Sequence, residues 1–218
     1  MNPAETPTSI DETKEIRSGR AVEVAAGLFL EQGIDRVKMT EIARKTGVGV
    51  ATIYRYFGTK TGIAIASMTY LWRKLREKFS GIFDTIAFRK QTGYRQVHTL
   101  LRMFLVLYTE HSDFMKLLGE FDLLIAKEKI PKEDLNEYAQ SILNFYPVFE
   151  TSYLIGVADG SVRELPNVRL FYVSAAHAFM ELSKKLLQGE LLSTDDFSHG
   201  ERELEIMIET VAFYLKKQ

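Results

Sequence analysis

The chain has 218 residues, 46% hydrophobic and 26% charged with no cysteine, which excludes a disordered polymer, disulfides, thiolate metal sites and cysteine nucleophiles. Its formal charge of −1 is unevenly placed: from Lys14 to Lys60 nine basic residues face five acidic ones, a surplus of four that leaves five net negative charges on the remainder. A mildly basic head on an acidic body suits a protein that presents one end to phosphates.

Residues 1–12, with Pro, Thr, Ser and Asn, read as a mobile tail. Beyond them almost everything has helical period. Between Ile16 and Gln32 the apolar Ala21, Val24, Ala25, Leu28 and Phe29 recur at spacings of three and four, which predicts one buried helical face, and Gly33 fits its C-cap. Met39 to Thr46 and Val50 to Phe57 are two short patterned pieces separated by Gly47-Val48-Gly49, each too short to stand alone. After Gly58-Thr59 a longer helix is expected from about Lys60 to Ile86, linking two domains.

Five further helical segments follow, roughly Gly93 to Glu110, Asp113 to Lys129, Lys132 to Ala158, Asn167 to Gln188 and Phe197 to Lys216. Turn and cap chemistry separates them at His111-Ser112, Ile130-Pro131, Asp159-Gly160-Ser161, Leu165-Pro166 and Gly189. No period-two alternation of strand length appears. The expected class is all-α with about nine helices: a three-helix head over 13–60 and a helical body over 61–218.

The stretch TEIARKTGVGVATIYRYF carries the functional argument. Two short helices set at a sharp angle by a Gly-containing turn place the second in the DNA major groove. Ile42 and Ala43 face inward, Val48 plugs the angle, and Ile53 and Phe57, four apart, anchor the second helix to Leu28 and Phe29. Val50, Ala51, Thr52, Tyr54, Arg55 and Tyr56 then remain outward. Thr, Tyr and Arg donate to phosphate oxygens, while small or methyl-bearing side chains allow close approach and contact thymine methyls. Lys60 would meet phosphate at the start of the next helix.

Leu28-Phe29, Gly33, Ile42-Ala43, Gly47-Val48, Thr52-Ile53-Tyr54, Tyr56-Phe57 and Lys60 together resemble the signature of the tetracycline-repressor (TetR) family over roughly residues 14–65. The resemblance implies an all-helical homodimer whose variable body holds an inducer pocket. Carried over by position, Thr40, Val50, Ala51 and Thr52 fall where the family reads bases, and Tyr54, Arg55, Tyr56 and Lys60 where it grips phosphates. Gly49 stands where a capping Ser is common and Lys38 where a capping Thr is usual. Val50 replaces a frequent polar or basic reader, which shifts weight from hydrogen bonds to methyl contacts and DNA shape.

In the body, a pocket needs apolar walls and a few convergent polar groups. Phe104, Tyr108, Phe121, Tyr146, Phe149, Tyr153 and His177 are the candidates, weighed against ordinary packing. Ser174, Ala175 and Ala178 with Met207, Val211 and Tyr214 are candidates for a dimer seam, and Glu201, Glu203, Glu205 and Glu209 read as a solvated face. The four histidines are too scattered for a metal site, and no phosphate loop, dinucleotide fingerprint or serine-nucleophile motif occurs, so neither cofactor, metal nor catalysis is expected. The expectation is a cytoplasmic, homodimeric regulator without membrane attachment. It acts most simply as a repressor released from a palindromic double-stranded operator by a small apolar or aromatic effector. The alternative is a helical small-molecule-binding protein or enzyme with a vestigial head.

Overall fold

The computed structural model describes residues 9–189 and 193–218, with side chains from Lys14 onward. Eleven α-helices are present among them: α1 Ser9–Gln32, α2 Met39–Thr46, α3 Val50–Phe57, α4 Lys60–Phe79, α5 Ile86–Arg89, α6 Gly93–Glu110, α7 Ser112–Glu128, α8 Asn136–Ser141, α9 Tyr146–Ala158, α10 Val168–Leu187 and α11 Gly200–Leu215. Short 3-10 turns at Ile82–Asp84 and Lys132–Leu135 complete the pattern. No strand occurs among the described residues; Val162 and Lys216 make an isolated antiparallel bridge.

Three expectations change. The first helix begins at Ser9, so residues 9–12 of the expected tail are helical. Residues 1–8 lie outside the described region. The linking helix stops at Phe79 instead of running to Ile86, because Gly81 takes a left-handed φ of 81° that ends the α-helical path. The segment Lys132 to Ala158 is likewise two helices and a 3-10 turn, with Pro147 in the first turn of α9, where a missing N–H costs nothing. These breaks raise the count from about nine to eleven.

The chain forms two compact units, one comprising residues up to Arg76 with Leu117–Ile142, the other Glu77–Lys116 with Leu143–Gln218. In the first, α1 packs on α2 and α3, and Leu28, Phe29, Ile42, Ile53, Ile63 and Met68 are each at most 2% exposed. Burying each such side chain is worth roughly 1.5–3 kcal/mol, which is how helices of eight residues persist. Further along the same unit, Trp72 Nε1 donates to Tyr138 Oη (3.3 Å), and Tyr138 packs on Phe121 with ring centroids 4.9 Å apart.

In the second unit α6 packs on α9, α10 and α11. Its crossing with α9 is a backbone contact: Gly93 lies directly against Gly156 and the carbonyl of Ser152. Asp159 and Ser161 close that junction, accepting from the N–H groups of Gly93 (2.8 Å) and Tyr94 (3.0 Å). The acidic face of α11 is partly engaged rather than wholly solvated. Glu209 pairs with His98 (2.8 Å) and Arg102 (3.4 Å), and Glu205 with Arg102 (3.2 Å) and Arg202 (2.5 Å).

Candidate nucleic-acid interface

The turn between α2 and α3 is set by backbone and one hydroxyl. Gly47, left-handed at φ 71°, ends α2, and Thr46 Oγ1 donates to the Ile42 carbonyl (2.9 Å) while accepting from the Val48 N–H (3.3 Å). Thr46 is buried and fixes the angle; its role was not read from the sequence, where a Thr before Gly is only a helix end. Lys38 and Gly49 hold the N-cap positions of α2 and α3 in extended conformation, without side-chain cap bonds. The first N–H groups of α3 are therefore not occupied by a cap.

On α3, Ile53 is fully buried and Phe57 half-buried, the latter edge-on to Tyr56 at 6.2 Å. Facing away, Ala51, Tyr54 and Arg55 are exposed, Val50, Thr52 and Tyr56 half-exposed, and Thr40 on α2 is exposed as well. The Arg55 guanidinium lies 5.7 Å from the Tyr56 ring centroid, a cation–π contact that holds the charge beside the phenol. Seven of the eight expected DNA residues thus share the α2–α3 end of the unit. The eighth, Lys60, opens α4, and its Nζ donates to the Asp35 carbonyl (2.9 Å), bracing the loop between α1 and α2.

That loop has a second brace that sequence patterning did not disclose. The Ile34 N–H donates to Glu120 Oε2 of α7 (2.8 Å), and Gly33, at φ 80°, leaves the room the carboxylate fills. Nearby, Thr61 of α4 donates to Glu128 of α7 (2.6 Å). Contacts across 86 and 67 positions of sequence leave no local signal.

The expected ligand residues fall in both units, and Tyr146 and Phe149 meet on one ring, Tyr172. Phe104 is buried against Phe145 (6.3 Å) and Phe179 (5.3 Å). Phe149 and Tyr146 pack on Tyr172 at 4.9 and 5.3 Å, and burial pushes the Tyr172 hydroxyl up to about 12, so it remains a neutral phenol. Tyr153 is buried, with its hydroxyl accepting from the Leu165 N–H (2.7 Å). Tyr108 lies against Gly200, His177 is exposed on α10, and Phe121 belongs to the first unit.

The second unit instead holds a partly open cleft of about 550 Å³, walled by Phe83, Phe88, Pro147, Val148 and Ile155, with polar groups from Asp84, Arg89, Gln96, Thr151 and Ser152. Asp84 and Arg89 pair at 3.0 Å, and Ser152 donates to Gln96 (3.0 Å). Phe83 and Asp84 of this wall come from the stretch before Ile86, where a continuous linking helix was expected, and Phe88 and Arg89 follow it.

A buried Ile53, an outward surface of hydroxyls, small residues and one cation, and a glycine-set turn define a helix-turn-helix head. Residues 21–66 match the model of the bacterial regulatory proteins of the tetR family, so the head of this chain is similar to the heads of those proteins. An uncharacterized HTH-type transcriptional regulator of Bacillus subtilis, YuxN, is 27% identical over 132 residues, 57% of this chain and 44% of that protein. An HTH-type transcriptional regulator of Staphylococcus aureus is 38% identical over 52 residues, 24% of this chain and 28% of that protein. The matches thus span less than half the length of these curated relatives.

Among solved structures, a transcriptional regulator from Saccharomonospora viridis in complex with choline has a TM-score of 0.66 at 17% identity, covering 89% of this chain and 96% of that one. FadR from Bacillus subtilis in complex with stearoyl-CoA has a TM-score of 0.54 at 16% identity, covering 90% and 98%. At these identities the likeness is one of fold. Among the described residues, no helix is long and apolar enough to cross a membrane.

Proposed function

We propose that the protein is a ligand-responsive transcriptional regulator, a cytoplasmic homodimer that binds a palindromic operator and acts as a repressor released by a small, largely apolar or aromatic effector. The observation that carries the reading is α3: its single buried anchor, Ile53, turns Val50, Ala51, Thr52, Tyr54, Arg55 and Tyr56 outward on one short, exposed helix. The head spans 13–60 and the body 61–218 in this reading. Solved relatives of the same fold hold molecules as unlike as choline and stearoyl-CoA, in keeping with a body whose ligand chemistry varies.

Two surfaces support the remaining parts. On α10 and α11 the large apolar residues Leu170, Ile206, Met207, Phe213 and Tyr214 are 39–65% exposed, and Ser174 and Ala178 lie open beside Leu170 on α10. Such a face suits a second copy of the chain. The cleft beside Phe83 and Phe88 suits the effector. An effector that favours a head spacing unsuited to half-sites roughly 34–36 Å apart weakens operator binding, and by linkage the operator weakens effector binding equally.

The test is selection of bound duplexes from random DNA, followed by titration against salt. A palindromic consensus is expected, with an affinity that falls steeply with salt and drops at least tenfold in Tyr54→Ala/Arg55→Ala, the cost of about 1.4 kcal/mol or more. A flat salt response with no enriched sequence favours the vestigial head instead.

A further inference from the structure

We infer that the head carries a DNA-phosphate seat outside the helix-turn-helix itself, a cleft in which Arg17 and Arg20 of α1 hold the backbone of the strand that α3 reads; this rests on the DNA-reading role proposed above. The cleft measures about 350 Å³, and Arg17 and Arg20 face Gly47, Gly49 and Thr52 across it. The two arginines stand three residues apart, on one face of α1. Both are exposed, and neither has a hydrogen-bonding or acidic partner among the described residues.

Like charges at that spacing repel, so an anion between them is favoured. Guanidinium is the group that grips phosphate with paired donors. The opposite wall lacks side chains at Gly47 and Gly49, so a phosphate can approach the backbone closely there, and the Thr52 hydroxyl adds a donor from the reading helix itself. A seat that shares Thr52 with the reading surface is continuous with it. The chemistry therefore fits a phosphodiester flanking the groove that α3 enters, rather than a free ion. The surplus of four positive charges between Lys14 and Lys60 supplies the favourable field.

The experiment uses the full chain and a fluorescent duplex recovered by wild-type selection from random-sequence DNA, with anisotropy titrations across salt. Arg17→Gln/Arg20→Gln is expected to reduce the magnitude of the log affinity against log salt slope by about 0.9–1.8 per head, corresponding to one or two phosphates no longer neutralised. Arg17→Lys/Arg20→Lys should keep most of the slope while weakening affinity, and Lys127→Gln/Lys132→Gln, which removes two charges elsewhere, should leave the slope intact. A wild-type slope in the Gln pair overturns the inference, as does an equal loss in the Lys127/Lys132 control. A wild-type protein that binds no duplex at any salt overturns the DNA-reading role itself, and this seat with it.

Discussion

In the first unit Gly33 is pressed by the carboxylate of Glu120, whereas in the second Gly93 and Gly156 press backbone against backbone. Both contacts exist because a side chain is missing, but they differ in what must move if one is added. Glu120 is an exposed side chain whose far end can swing away. At Gly93 the obstruction is the Gly156 backbone and the Ser152 carbonyl, and at Gly156 it is the Val162 side chain and the Gly93 backbone. The α6–α9 crossing is therefore a rigid joint, while the brace on the loop between α1 and α2 can let go. The regulator proposed above would use both: a firm body and a head whose hold on α7 is reversible.

The largest expected effect comes from forcing the rigid joint. Gly93→Ala should cost about 3 kcal/mol or more in denaturant unfolding, at the upper end for overpacking, because the new methyl meets the Gly156 backbone and the Ser152 carbonyl, which cannot retreat without breaking α9. A loss under about 1 kcal/mol would show that the crossing is loose. Next in size is Asp159→Ala, which strips acceptors from the N–H groups of Gly93 and Ser161 and should cost about 2 kcal/mol.

That second loss should depend on pH. The Ser161 hydroxyl, then the Gly93 and Ser161 N–H groups, hold the Asp159 carboxyl below its ordinary value. A carboxyl lowered in the folded state stabilises above its unfolded value of about 3.9 and loses that contribution as pH falls through the folded value. The gap between wild type and Asp159→Ala should thus be full near neutrality and shrink below about pH 4. A gap that grows on acidification would remove the carboxylate from the joint.

These two junctions also show what a sequence can disclose. The glycine-set turn, Ile53 as anchor and the outward α3 residues were legible, since each depends on neighbours within one or two turns. Gly33 was legible as a C-cap for the same reason. Its second role was not, because Glu120 stands 86 positions away from Ile34, and Gly93 and Gly156 read as ordinary helix residues until their helices cross. Aromatic content pointed to a pocket in the body; Phe104, Phe149 and Tyr153 are buried there, and the cleft proposed for the effector lies beside a helix break at Gly81 that hydrophobic period passes over.

The smaller effects probe the reversible brace. Gly33→Ala meets two penalties, a left-handed φ of 80° and the Glu120 oxygens 2.8 Å from the new methyl. The first costs about 1–2 kcal/mol for any L side chain; the second is cheap if Glu120 simply turns out to solvent. A double-mutant cycle with Glu120→Ala separates them. The expected coupling is about 1 kcal/mol, matching the cost of Glu120→Ala alone, because the bond to Ile34 that the new methyl displaces can be lost only once. Hydrogen exchange at the Ile34 amide should quicken in Glu120→Ala and stay near wild type in Glu120→Gln, whose amide oxygen still accepts. If coupling instead approached the full cost of Gly33→Ala, the carboxylate would be as immovable as the glycine crossing in the other unit, and the contrast between a rigid body joint and a releasable head brace would disappear.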